Sequence, residues 1–398
     1  MGKLKALDKN LNLTDKKIIL RVDLNVPMQE EKVTDKSRIS KVIPIIKGFI
    51  NKKAKIILIS HLGRPKGKMD KKLSLKPLSP ILENLLNSRV HFSNESYGST
   101  VIEKINKIKS GEVLLLENIR FNEKEEKNDE GFAKQLAKLG DIYVNEAFSC
   151  SHREHASVCA IAKHIDSYAG KLLSEEVSMI NMLKDNAEKP VSCIIGGSKI
   201  STKIGILTNL VKKMQTIVIV GAMANNFIKY KGHNIGKSLF EKDQENLIKD
   251  ITKKCEINNC KLVIPEDVMV AKNYESEPKL KSINEIDNND LILDIGNNTI
   301  NKICNIIDES KTILWNGPAG YFELKKYSIG SNKIAKKITE NTKNKSLRSI
   351  AGGGDTVAAI NKSGCSNGFT YISTAGGAFL ELLEGKILPG IKVLEINE

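Results

Sequence analysis

Short apolar runs, each broken by Gly, Pro, Asn or Asp and followed by a longer stretch of helical spacing, recur along all 398 residues and predict an α/β fold. The runs are nearly continuous in apolar residues instead of alternating, the pattern of parallel strands covered by helices on both faces. The chain is also longer than one core ordinarily serves. Two Rossmann-like three-layer domains with parallel sheets, residues 1–170 and 171–387, joined by a hinge helix, are therefore expected.

In the first half, strands are expected in KIILRVDLNVP, AKIILISHLGRP, EVLLLENIRF and DIYVNEAFS. Leu172, Leu173, Val177, Ile180 and Leu183 then fall near helical spacing ahead of Pro190, which predicts the linking helix. Second-half strands are expected in VSCIIGGSK, TIVIVGAMA, KLVIPEDV, TILWNGPAG, RSIAGGGDT and FTYISTAGG. GGSKISTKIGILTNLVKKM should open a helix that turns Ile200, Ile204, Leu207, Val211 and Met214 to the core. The lysine-rich stretch near 325–345 reads as a solvated helical face, and no tandem repeat is visible.

Composition narrows the function classes. Hydrophobic residues make up 40% of the chain, and no run of about 18 apolar residues suggests a membrane span. The charged N-terminus lacks a signal-peptide core, so a cytoplasmic protein is expected. Seven scattered cysteines without a C-x-x-C pair suit reduced thiols. Cys150, His152, His155 and Cys159 lie close together, but structural zinc sites usually draw ligands from two separated arms, so no metal is assigned there. The net charge of +15 admits a nucleic acid or an acidic ligand. Residues 1–170 carry 31 basic against 21 acidic residues, and the remaining 228 carry 31 against 26. Against nucleic acid, aromatics are only 5% and no basic stretch interleaves with them.

Arginine is more telling than lysine. Of 62 basic residues only seven are arginine, at 21, 38, 64, 89, 120, 153 and 348, and six of these lie in the first 153 positions. In a chain that uses lysine almost everywhere, arginine hints at a planar, bidentate fork for phosphate or carboxylate. Ligands of open parallel sheets bind beyond the carboxyl ends of the strands. Asp23 and Asn25 follow the first strand, His61 and Arg64 the second, Arg120 the third, and His152 and Arg153 the fourth, while Arg38 lies in the connection KVTDKSRI. Four arginines and two histidines converging there would repel one another unless a small, highly charged anion filled the pocket, which favours a phosphorylated carboxylate.

The second half places glycine at its strand ends. SIAGGGDTVAAI reads as strand, glycine loop and helix, with Gly353 and Gly354 ahead of Asp355 and Thr356 at the helix start. Backbone N–H groups there can approach phosphate oxygens, while Asp355 either caps the helix or holds Mg²⁺ between nucleotide phosphates. STAGGAFLELLEG repeats the arrangement with Gly376 and Gly377. Lys199 and Lys203, four residues apart, should share one helical face, where like charges are unfavourable unless a polyphosphate binds. GHNIGKS encloses three residues between its glycines where a Walker A loop has four, and it receives no assignment.

In their order and spacing, RVDLNVP, SHLGRPKG, LLLENIRFNEKEEKND, VNEAFSCSHREHAS, GGSKISTKIGIL, ILWNGPAGYFE, GGGDTVAAI and STAGGAFLELLEGKILPG resemble phosphoglycerate kinases over essentially the whole chain. The resemblance implies a two-lobed, hinge-bending enzyme of glycolysis that moves a phosphoryl group reversibly between 1,3-bisphosphoglycerate and ADP, giving 3-phosphoglycerate and MgATP. It implies 3-phosphoglycerate binding at Asp23, Asn25, Arg38, His61, Arg64, Arg120 and Arg153 of residues 1–170. For residues 171–387 it implies nucleotide binding at Gly197, Lys203, Asn316, Pro318, Glu323, Gly353, Gly354, Asp355 and Thr356, with Glu323 at the ribose and Asp355 at the metal. The tail, residues 388–398, would pack back on the first lobe, and a monomer is implied. Glu146, Ser149, Asn297 and Val220 depart from the family's more usual Asp, Gly, Pro and Gly.

The implied reaction needs no general base, because the attacking carboxylate is already ionised at neutral pH. Alignment and charge stabilisation remain, with Arg38, Lys199, Lys203, Gly376 and Gly377 as the catalytic candidates. Two readings stand beside this one. Another α/β kinase for a small carboxylate would share the glycine loops without needing arginines at successive strand ends, and a basic nucleic-acid-binding protein would place its arginines along one face.

Overall fold

The computed structural model describes every residue except Met1, Lys9, Glu31, Asn397 and Glu398. The chain divides into two compact units, Met1–Ser178 together with Ile387–Glu398, and Met179–Lys386. The division falls inside the helix Lys171–Asp185.

The first unit holds six parallel strands: β1 (Lys17–Arg21), β2 (Lys55–Ile59), β3 (Val90–Ser93), β4 (Val113–Leu116), β5 (Ile142–Asn145) and β6 (Ser167–Ala169). Their order across the sheet is β3-β4-β2-β1-β5-β6. Side chains alternate faces along a strand, so β1 feeds two cores. Ile18 and Leu20 meet Ile39, Val42 and Ile46 of the helix Ser37–Asn51, whereas Ile19 meets Val101 and Ile105 of Ser99–Lys107 and Phe132 and Leu136 of Glu130–Ala137. Strands β3 and β6 escape the sequence pattern because they are short and mixed, VHFS and SYA, and lie at the sheet edges.

The C-terminal segment closes onto this unit through Lys5 N to Leu394 O (2.8 Å) and Gly390 N to Ser151 O (2.9 Å). A side chain at Gly390 would place its Cβ 2.9 Å from Ser151 Cα, so the approach requires glycine. Residues 397 and 398 of the expected returning tail lie outside the described residues.

The second unit runs β7 (Val191–Ile195), β8 (Thr216–Ile219), β9 (Lys261–Val263), β10 (Asp267–Ala271), β11 (Lys279–Ser282), β12 (Leu291–Ile295), β13 (Thr312–Asn316), β14 (Arg348–Gly352) and β15 (Tyr371–Ser373). Six strands form a parallel sheet in the order β9-β8-β7-β13-β14-β15. The other three form an antiparallel sheet, β11-β10-β12, that the sequence pattern did not suggest. Its strands interleave lysine and aspartate with apolar residues, as in KLKS and LILDI.

Both parallel sheets start from a central strand, run outward to one side and then cross to the other. The crossing flanks β1 and β5 in the first unit and β7 and β13 in the second. A crevice opens beyond the strand ends at such a switch point. Each unit therefore has one predetermined place for a ligand.

Candidate active site

At the first unit's switch point, β1 ends on Arg21, which is fully buried. Its Nε donates to Ser157 Oγ (3.0 Å) and its Nη1 to Val22 O (2.6 Å). Ser157 Oγ in turn donates to Glu125 Oε1 (2.6 Å), and Ser157 N donates to Glu125 Oε2 (2.8 Å). One hydroxyl thus bridges a buried guanidinium and a buried carboxylate. Burial raises the Glu125 carboxyl above its ordinary range, and Arg21 and these hydrogen bonds oppose it.

Arg21 Nη2 also lies 3.3 Å from His61 Nδ1. A guanidinium only donates, so Nδ1 is the acceptor and the ring proton sits on Nε2. Burial, then the charges of Arg21, Arg120, Arg38 and Arg153, hold His61 well below the usual imidazole range. His61 is therefore a neutral donor with its accepting nitrogen already engaged.

Asp23 and Asn25 follow β1 as expected and shape the adjoining loop. Asn25 Oδ1 accepts from Gly63 N (2.9 Å), where Gly63 has φ +63°. Asp23 Oδ1 accepts from Asn25 N (2.9 Å), and its Oδ2 accepts from both Arg38 Nη1 (2.8 Å) and Ser149 Oγ. Arg120 is 2% exposed and donates from Nη1 to Gly63 O (2.9 Å). Burial lowers its guanidinium from the ordinary value, as do the charges of Arg21 and Arg153. Arg153 Nε donates to His152 Nε2 (3.2 Å) in the turn after β5.

Two expectations need correction here, and one residue was missed. Arg38 sits in the first turn of the helix Ser37–Asn51 and not in a connection, because the Asp35 carboxylate accepts from Ser37 N (2.8 Å) and starts the helix early. The four arginines whose charges bear on His61 include Arg21 in place of Arg64. Arg64 is exposed, and among the described residues no hydrogen bond or ion pair ties it to the others. Arg21 was missed, although an arginine inside the apolar run KIILR of an arginine-poor chain was the available signal.

At the second unit's switch point the backbones of β7 and β13 nearly touch. Gly196 N donates to Asn316 O (2.8 Å), and a Cβ on Gly196 would stand 2.5 Å from Pro318 O. Lys203 Nζ donates to Asn316 Oδ1, whose Nδ2 donates to Gly352 O (2.5 Å). Gly317 N donates to Thr356 Oγ1 (2.7 Å). Gly353, at φ +101°, caps the helix Gly354–Lys362, and a Cβ there would lie 2.6 Å from Asn316 Nδ2. Lys203, Asn316, Gly352 and Gly317 are thereby tied into one frame beside Gly197. Burial lowers the Lys203 ammonium from its ordinary value, with Asp355 and Glu384 among the groups that oppose the shift.

A cavity of about 300 Å³ opens beside this frame and is lined by Gly197, Pro318, Glu323 and Asp355 together with apolar groups that include Ala222, Ile228, Leu293 and Phe322. Asp355 and Glu323 are exposed. Tyr274 and Tyr321 line it too, with ring centroids 5.0 Å apart. The apolar walls suit a nucleobase; part of them comes from the antiparallel strands, which carry no motif, and part from the loop after β13, which lies within ILWNGPAGYFE.

Gly376, at φ +58°, precedes the helix Gly377–Leu383. The expected lysine pair on a helical face is not formed. Ser201–Lys203 is a 3-10 turn and the α-helix begins only at Ile204, so exposed Lys199 precedes it while Lys203 turns inward. Ile200, Leu207, Val211 and Met214 are buried, whereas Ile204 is only half-buried and Ile206 and Leu210 join the core instead.

The family model described as Phosphoglycerate kinase matches residues 8–386. A phosphoglycerate kinase of Orientia tsutsugamushi (strain Ikeda) is 49% identical over 384 residues, covering 96% of this chain and 94% of that protein. One of Bradyrhizobium diazoefficiens is 44% identical over 398 residues, covering both chains in full. The solved phosphoglycerate kinase of Coxiella burnetii superposes with a TM-score of 0.89 at 38% identity, covering 98% of this chain and 99% of that one. That of Pyrococcus horikoshii OT3 gives 0.82 at 28% identity, covering 97% of each.

Proposed function

The chain belongs to the phosphoglycerate kinase family, phosphotransferases of glycolysis, and from that premise we propose how its residues divide the reversible transfer between 1,3-bisphosphoglycerate and ADP. The first unit binds 3-phosphoglycerate through Asp23, Asn25, Arg38, His61, Arg64, Arg120 and Arg153. The second binds the nucleotide through Gly197, Lys203, Asn316, Pro318, Glu323, Gly353, Gly354, Asp355 and Thr356.

The observation that carries this division is His61. With Nδ1 accepting from Arg21, the ring is a neutral donor through Nε2–H under the charges of Arg21, Arg120, Arg38 and Arg153, and it offers no free base. A site of that kind binds an anion without deprotonating it, which is what a carboxylate nucleophile needs.

Arg38, Lys199 and Lys203, with the backbone of Gly376 and Gly377, stabilise charge on the transferring group. Lys203 is suited to this because Asn316 fixes its ammonium on one side only, leaving donors for phosphate oxygens. The exposed Asp355 carboxylate on the cavity wall fits Mg²⁺, which commonly takes one or two carboxylates and completes its shell with water and phosphate. When bound, the ion would neutralise nucleotide phosphate charge. No helix among the described residues is long and apolar enough to cross a membrane. We place the protein in the cytoplasm as a monomer without nucleic-acid partners. A coupled assay of ATP with 3-phosphoglycerate, with and without Mg²⁺, tests the reading, and a folded protein without turnover would refute it.

A further inference from the structure

We propose that Ser149 is a positioning residue for Arg38 that acts through Asp23, an inference that rests on the functional reading above. The Asp23 carboxylate takes donors from three elements. Asn25 N reaches Oδ1 (2.9 Å) from its own loop, Arg38 Nη1 reaches Oδ2 (2.8 Å) from the first turn of its helix, and the Ser149 hydroxyl reaches the same Oδ2 from the turn after β5. A carboxylate oxygen offers two lone-pair sites, so guanidinium and hydroxyl together fill Oδ2. The acceptor site left on the group lies on Oδ1. Ser149 thus fixes both the rotation of the carboxylate and the oxygen open to a substrate hydroxyl.

Within the turn the Ser149 hydroxyl makes one long contact, to Cys150 Sγ (3.7 Å), and the backbone closes the turn without it. Phe148–Cys150 is closed by backbone bonds, Cys150 N to Ala147 O (3.0 Å) and Ser151 N to Phe148 O (2.9 Å). The Asp23 side chain is only 14% exposed, so water does not readily replace the hydroxyl. Without it, Oδ2 keeps a vacant lone pair and the carboxylate gains rotational freedom, which loosens one of the anchors of Arg38, whose Nη1 also donates to Asn25 O (3.1 Å). A displacement of a few tenths of an ångström in a group that stabilises a transition state costs rate more than affinity.

The test is steady-state kinetics with ATP and 3-phosphoglycerate on wild type, S149A, S149G, S149T, R38A and S149A/R38A. S149A and S149G should each lower kcat about tenfold with KM for ATP within about twofold, and S149T, which keeps the hydroxyl, should retain most of the rate. In the R38A background, S149A should cause little further loss of kcat, because the group it positions is gone, and what remains of its effect should fall on KM for 3-phosphoglycerate through the open Asp23 oxygen. A wild-type kcat in S149A, or an undiminished S149A loss in the R38A background, would overturn the proposal. A failure of S149T to restore the rate would also overturn it. Should folded wild type itself fail to turn over, the functional reading falls and takes this proposal with it; turnover by wild type with an unaffected S149A removes this proposal alone.

Discussion

Replacement of Glu146 by glutamine should change how stability depends on pH, by an amount the structure allows to be worked out. Glu146 is 5% exposed, and its carboxylate accepts from Lys171 N (2.8 Å) and Leu172 N (2.7 Å) at the start of the helix Lys171–Asp185. Burial raises its pKa from 4.5 to about 7, against the backbone N–H groups that favour the charged form. Because the folded pKa lies above the unfolded one, the folded state binds more protons between these values, and stability falls as pH rises through that window. The full shift corresponds to about 3 kcal/mol, of which about 2.5 kcal/mol falls between pH 5 and 8. Glutamine does not titrate, so the wild-type minus Glu146→Gln difference should decline by about 2.5 kcal/mol across that range. Urea unfolding of both proteins, followed by circular dichroism at several pH values, measures it. A difference that stays flat from pH 5 to pH 8 would refute the reasoning.

Three other outcomes follow from the geometry. Ser157→Ala removes the hydroxyl between buried Arg21 and Glu125, and unfolding free energy should drop by about 2–3 kcal/mol; a loss under about 0.5 kcal/mol would mean that the two charges pair without it. Arg38→Ala should lower kcat by about a hundredfold or more, with KM for 3-phosphoglycerate rising far less, and equal losses in both would contradict a transition-state role. Asp355→Ala should weaken use of Mg-nucleotide while calorimetric titration finds 3-phosphoglycerate binding intact, since the residue lines the second unit's cavity.

Strands that are largely apolar and buried announce themselves, which accounts for eight of the ten legible parallel strands; KLV and YIS, at the sheet edges, were reached through the longer runs that contain them. VHFS and SYA were not legible, because they are short and mixed, and neither were KLKS and LILDI, which lysine and aspartate interrupt; DVMVA, apolar after Asp267, was missed without that cause. The polar cluster beyond the first unit's strands was legible where an unusual residue type stands at a strand end, as with Asp23, His61 and Arg120. Arg64 and Arg21 mark the limit in opposite directions. Sequence places a residue relative to its strand but does not say which side chains meet, so an exposed arginine after β2 looked equivalent to a buried one inside β1. Lys199 and Lys203 failed for a different reason. Periodicity suggested one helix through both, whereas the 3-10 turn between them rotates one out and the other in.

The guanidiniums of the first unit differ in how firmly the protein holds them, and that gradient separates scaffold from ligand contact. Arg21 donates to Ser157, Val22 and His61, has no exposed surface, and so spends its hydrogen bonds on setting the imidazole tautomer. Arg120 gives one bond to Gly63 O and lies 3.7 Å from Glu126, with its Nε unsatisfied in the protein, so a buried charge there is incompletely compensated. Arg38, at 30% exposure, donates to the Asp23 carboxylate and to Asn25 O (3.1 Å), and Arg64 is open to solvent. An anion gains most from the charges the protein satisfies least, because a buried, half-compensated guanidinium recovers its lost solvation when the ligand arrives. On this argument Arg120, more than exposed Arg64, should dominate affinity for 3-phosphoglycerate, while Arg21 affects it only indirectly through His61.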